Sequence, residues 1–85
     1  MKRVDKVVEN QAKLRWGCRR GMLELDMILL PFYDNHFSCL TAQQQYRFAE
    51  LLTSEDQDLF AWLIGVKSVD VAELSEIVKL IRDKR

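Results

Sequence analysis

With 85 residues, three glycines and one proline, the chain is one small domain, too short for a deep catalytic cleft and too poor in turn formers for a β fold. A hydrophobic share of 48% beside 31% charged residues excludes a disordered chain, and no run approaches the ~20 apolar residues of a membrane helix. Net charge is zero but unevenly spread: residues 1–20 carry seven basic groups against two acidic ones, and residues 34–76 carry two against eight, which suits oriented docking better than general nucleic-acid affinity.

A first helix is predicted from Val4 to about Arg19. Val4, Val8, Ala12 and Trp16 recur every fourth residue, with Val7 and Leu14 beside them, and the outer face is basic. Gly21 fits the position just past that helix, where a left-handed backbone costs glycine nothing. Arg19 and Arg20 then fall in its last turn, favourable against the negative end of its dipole.

A second helix is predicted from Met22 to about Phe37, with Glu24 and Asp26 near its positive end. Leu25, Ile28, Leu29, Phe32, Tyr33 and His36 form a broad apolar face, widened by Met27 and Leu30, which makes this the expected central helix. Pro31 removes a backbone donor and predicts a kink or two shorter pieces.

Thr41-Ala42-Gln43-Gln44 is a capping-box pattern that opens a third helix running to about Leu52. Ser54-Glu55-Asp56-Gln57 repeats the device for a fourth, rich in apolar residues from Leu59 to Ile64 and ended by Gly65. Asp70-Val71-Ala72-Glu73 opens a fifth, where Leu74, Ile77, Val78 and Ile81 follow the i, i+3, i+4, i+7 rule; Arg82 to Arg85 read as a frayed basic end. No strand pattern, repeat or linker is visible. The expectation is an all-α, single-domain bundle of about five short helices across residues 1–85.

Catalytic chemistry has little support in these residues. His36 is the only histidine and lies on an apolar face, which reads as a core residue. Cys18, Cys39 and His36 match no zinc spacing, so neither a metal nor a catalytic residue is assigned. No phosphate loop or dinucleotide fingerprint occurs. The cysteines read as free thiols in a reducing cytoplasm, since residues 1–13 lack the apolar core of a signal peptide. For the basic first helix, a solvated charged face outweighs direct nucleic-acid binding.

One stretch does not reduce to packing. Trp16-Gly17-Cys18-Arg19-Arg20-Gly21-Met22-Leu23-Glu24-Leu25-Asp26 holds two of the three glycines, with two arginines and two carboxylates around Gly21. A glycine at a helix corner lets a partner's backbone approach, and Arg20 and Glu24 can each offer charge-assisted hydrogen bonds.

Arg20-Gly21-Met22-Leu23-Glu24 resembles the RGxxE motif of the small flavinylation factors, the bacterial SdhE proteins and their mitochondrial relatives, the succinate dehydrogenase assembly factor 2 proteins. A second block, Glu55-Asp56-Gln57-Asp58-Leu59-Phe60-Ala61-Trp62-Leu63, is similar to that family's acidic start followed by a leucine, an aromatic and Trp-Leu; Gln57 stands where the bacterial pattern often has proline. The two blocks at their mutual spacing carry the resemblance, which covers about residues 10–82.

It implies a five-helix assembly factor that is not an enzyme. Such a factor binds the flavoprotein subunit of succinate dehydrogenase, and in bacteria of fumarate reductase, and promotes covalent attachment of FAD. FAD is then the client's cofactor and the factor has none of its own. Carried over by position, Arg20, Gly21 and Glu24 fall on the functional motif, flanked by Trp16, Arg19, Met22 and Asp26. An antitoxin-like label on some members leaves a nucleic-acid-binding regulator, acting through the basic first helix, as the second reading.

Overall fold

The computed structural model describes residues 11–84. Apolar residues three and four apart drive the chain into α1 (Gln11–Trp16), α2 (Leu23–His36), α3 (Ala42–Leu51), α4 (Asp56–Ile64) and α5 (Ala72–Asp83), with a 3-10 turn at Phe37–Cys39. No strand occurs among the described residues, as the composition leads one to expect.

The most regular buried stripe belongs to α5. Leu74, Ile77, Val78 and Ile81 are all buried on one stripe, and α5 packs against α2, α3 and α4. The apolar face expected of α2 is narrower than its sequence suggests, because its apolar residues point two ways. Leu25, Leu29 and Phe32 enter the core, whereas Met27 stays 66% exposed. Pro31 does not divide α2, which continues through it as one helix. Pro31 and Met27, four residues apart, share the exposed side, where solvent is available to the carbonyl that proline cannot serve.

Aromatic rings hold α2 against α3. Phe48 lies 5.6 Å from both Phe32 and Phe37, and Tyr33 stacks on Phe37 at 4.7 Å. Such pairs contribute about 0.5–1.5 kcal/mol each beyond the area they bury.

The helix ends follow the sequence in part. Thr41 and Gln44 form the expected capping box, with bonds of 3.1 and 2.9 Å. Gly65 ends α4 with φ 87°. The second expected box fails: Glu55, not Ser54, precedes α4, and no side-chain cap forms there. The start of α4 is held instead by Arg20, as described below. At its C-terminal end α5 includes Arg82 and Asp83, and the Lys84 N–H reaches the carbonyls of Leu80 and Ile81 at 3.2 Å. Ile81 is buried and anchors that last turn.

Candidate functional site: the corner between α1 and α2

The first helix stops three residues earlier than its pattern suggests. Gly17 makes the last α-type bond, to the Lys13 carbonyl, and Cys18 and Arg19 close tighter turns onto Arg15 and Trp16. A Cβ on Gly17 would lie 3.2 Å from the Leu14 carbonyl oxygen, a tight contact within its own segment, and 3.6 Å from Leu52 Cδ1, an ordinary van der Waals distance.

Leu14 and Cys18 carry the buried face of this segment, both fully buried. Trp16 lies two residues from each, about 200° around the helix axis, and is therefore 71% exposed rather than part of an apolar stripe. Val4, Val7 and Val8 of that expected stripe lie outside the described residues. The Arg19 guanidinium sits 5.7 Å from the Trp16 ring centre, giving an exposed cation–π pair.

Arg20 turns inward. Its Nε donates to Asp56 Oδ1 at 2.8 Å, Nη1 to the carbonyls of Gly17 (3.0 Å) and Leu52 (2.9 Å), and Nη2 to the Ser54 carbonyl (2.9 Å). Only 16% of the side chain is exposed. Leu52 and Ser54 follow α3, where a helix leaves carbonyls without donors, and Asp56 opens α4. One planar guanidinium thus closes the end of α3, fixes the entry to α4 and pins the corner to both. Placing Arg20 in the last turn of α1 is corrected accordingly: it serves the negative end of another helix.

The main chain at the corner is fixed too. The Arg20 N–H donates to Asp26 Oδ1 at 2.7 Å. Asp26 is half-buried and shapes the turn from within. Gly21 takes φ 79°, the left-handed region, although it does not directly follow α1; a Cβ built there meets nothing within 4 Å. The turn therefore needs glycine for its backbone angle, while the space above it stays open. Met22 precedes α2 in an extended conformation and is half-buried against the core.

Glu24 faces outward from the first turn of α2, and its side chain makes no ion pair or hydrogen bond among the described residues. Beside it stand Leu23 and Met27, 69% and 66% exposed. Exposed apolar side chains this large, grouped around an open acidic residue, mark a surface that a partner can cover. The sequence reading missed Leu23 and put Met27 in the core. The signal was available: Leu23 and Met27 are four apart and two residues out of phase with the buried Leu25 and Leu29.

The corner thus separates its residues. Trp16, Arg19, Gly21 and Glu24 are exposed, with Leu23 and Met27 joining them; Arg20, Met22 and Asp26 are the partly buried supports. Two of the first segment's cations are engaged within the protein, which reduces what it can offer a phosphate backbone. Arg20 is clamped, and Arg15 makes a two-pronged pair with Asp34 at 2.8 and 2.9 Å. That bond to Arg15 lowers the Asp34 carboxyl below its ordinary range. Lys2, Arg3 and Lys6 lie outside the described residues.

Nucleophilic chemistry finds no purchase at Cys18. Burial pushes its thiol up to about 12, so it stays protonated, and its Sγ points to the Leu14 carbonyl at 3.7 Å. Cys39 is exposed and free. His36 is half-buried with its ring 5.5 Å from Phe32. Among the described residues no three His, Cys, Asp or Glu gather to hold a metal, and no helix is long and apolar enough to cross a membrane.

Residues 12–85 match the Sdh5 family, described as flavinator of succinate dehydrogenase. The chain is 46% identical over 72 residues to a Colwellia psychrerythraea protein named FAD assembly factor SdhE, covering 85% of this chain and 79% of that protein. A protein of the same name from Idiomarina loihiensis is 38% identical over 81 residues, covering 95% and 90% of the two chains. In fold, the chain is similar to a solution structure described as a UPF0350 protein, with TM-score 0.72 and 42% identity over 89% of this chain and 81% of that one. A family match over nearly the whole chain, relatives of this identity and a shared fold agree: the chain belongs to the Sdh5 family, the flavinators of succinate dehydrogenase.

Proposed function

We propose that this protein is an assembly factor that binds the flavoprotein subunit of succinate dehydrogenase and promotes covalent attachment of FAD to it. The observation that carries the reading is the division of labour within Arg20-Gly21-Met22-Leu23-Glu24. Arg20 is consumed by the fold, while Gly21 and Glu24 are left open at a protruding corner beside Trp16, Leu23 and Met27. Family membership supports the choice of client and cofactor.

On this reading the factor is not an enzyme. The bond-forming chemistry belongs to the flavin and the client, and FAD is the client's cofactor. The corner holds the client in a conformation that favours the reaction. Glu24 supplies a charge-assisted hydrogen bond, the open face of Gly21 admits the client's backbone, and Trp16, Leu23 and Met27 supply apolar area. Arg20, Met22 and Asp26 act by positioning these groups. The flavoprotein of fumarate reductase is a second client, and the factor works in the cytoplasm.

The test compares covalently bound flavin on the flavoprotein, read by in-gel fluorescence, in host cells with and without the factor. Loss of covalent flavin at unchanged flavoprotein level supports the proposal. Unchanged flavin refutes it.

A further inference from the structure

The corner continues into a groove. Glu24 and Met27 line a cavity of about 580 Å3 that runs along α2. The α2 wall carries Glu24, Met27, Ile28 and Pro31, at spacings of three and four, which is one helical stripe. The facing wall is Phe60 and Ile64 of α4, one turn apart. Lys84 stands at the far end: it lines this groove and also the adjoining hollow formed by His36, Cys39 and Leu40 beyond α2. The floor is apolar, one end is acidic and the other basic. From Glu24 to the end of α2 at His36 the helix rises about 18 Å.

We propose that this groove docks a segment of the flavoprotein subunit whose apolar side chains lie between a basic group at the Glu24 end and an acidic group at the Lys84 end. The proposal rests on the reading of the corner as the flavoprotein-binding surface and extends it. Three observations select this occupant. Glu24 and Met27 belong to both surfaces, so a client seated on the corner also covers the mouth of the groove. Neither Glu24 nor Lys84 forms an ion pair among the described residues, so both ends are open to opposite charge. The corner alone offers few side chains, whereas a stable complex covers about 800 Å2 on each partner. The groove supplies area in the direction the corner already faces. Phe60 accordingly has a second role: it is half-buried against the core and its remaining surface lines this wall.

The experiment measures affinity between the full-length factor and the full-length flavoprotein subunit of succinate dehydrogenase by calorimetry. The variants are Pro31→Glu, Lys84→Glu and, as the marker of the corner, Glu24→Ala. Pro31 and Lys84 are exposed, and replacing proline inside a helix does not weaken it, so circular dichroism and melting should match the parent. The proposal expects Pro31→Glu to weaken binding roughly tenfold or more, by placing an unpaired charge on apolar contacts, and Lys84→Glu to weaken it in the same direction. Parental affinity in both variants, with Glu24→Ala still weakened, overturns the groove and leaves the corner standing. No binding by the unaltered factor removes both. A factor dimer that Pro31→Glu dissociates, with client affinity intact, assigns the groove to a second copy and also overturns the proposal.

Discussion

Arg20 and Asp56 stand 36 residues apart and meet at 2.8 Å, in the ion pair that ties the first block of the family resemblance to the second. The two blocks are thus one structural unit. The arginine of the first closes the end of α3, and the acidic start of the second receives it. Gly21 and Glu24, one and four residues after Arg20, stay exposed above the turn that this pair fixes.

Arg20→Ala should therefore act first on stability. It leaves the carbonyls of Leu52 and Ser54 and the Asp56 carboxylate without their donor, at a cost of about 3 kcal/mol. For a domain of this size that is a fall of roughly 12 °C or more in Tm. Arg20→Lys should recover little of it, since an ammonium cannot span carbonyls and carboxylate with a fixed fork. A Tm for Arg20→Ala within 2–3 °C of the parent, by order of magnitude, would contradict the clamp.

Gly21→Ala should remain folded with a modest loss. The left-handed backbone penalises any side chain by about 1 kcal/mol, but the added Cβ meets no atom of the protein. If the client's backbone approaches Gly21 as proposed, flavinylation should fall further than this small loss explains. Thermal melting and client flavin fluorescence, measured on one strain, separate the two effects.

Trp62 and Phe60 should behave differently. Trp62 is 3% exposed, and its truncation to alanine removes a full core side chain at about 3–5 kcal/mol. Its Nε1 has no hydrogen-bond partner among the described residues, so Trp62→Phe removes a buried donor as well as volume and should cost less than Trp62→Ala. Phe60 is partly exposed on the groove, so Phe60→Ala should lower Tm less than Trp62→Ala and reduce client affinity. Urea unfolding of the three variants ranks them; a Phe60→Ala loss equal to that of Trp62→Ala would return Phe60 wholly to the core.

The pair Arg15–Asp34 predicts an acid-sensitive contribution. Hydrogen bonding to Arg15 depresses the folded Asp34 pKa below its ordinary 3.8. The contribution is therefore fully present above that value and is lost as pH falls through the lowered one. Asp34→Asn should be less stable than the parent near neutrality, and the gap should close as pH drops below about 4. A gap that stays constant with pH would mean that the carboxylate charge is not involved.

The periodic parts of this fold were legible from the chain alone. The stripe Leu74, Ile77, Val78, Ile81 and the Thr41–Gln44 box are local patterns, and local patterns decide them. The corner was legible as a place but not as a mechanism. Arg20 was read toward a partner from its place beside Gly21; its partners at Leu52, Ser54 and Asp56 come from tertiary contacts that no spacing reveals. Trp16 and Met27 were assigned inward on hydrophobicity, and phase decided otherwise, since Leu14, Cys18, Leu25 and Leu29 already fill the buried face.

The central claim is that Glu24 contacts the client rather than holding the fold. Glu24→Ala loses at most about 0.3–1 kcal/mol of helix-dipole stabilisation, whereas losing a charged partner at a desolvated interface costs about 2–5 kcal/mol of binding. The most direct measurement is in-gel flavin fluorescence of the flavoprotein in a strain carrying Glu24→Ala at parental factor level, with Tm of the purified variant as control. The account predicts a Tm near that of the parent and covalent flavin close to that of a strain lacking the factor. Parental covalent flavin in that strain would contradict it and remove Glu24 from the mechanism.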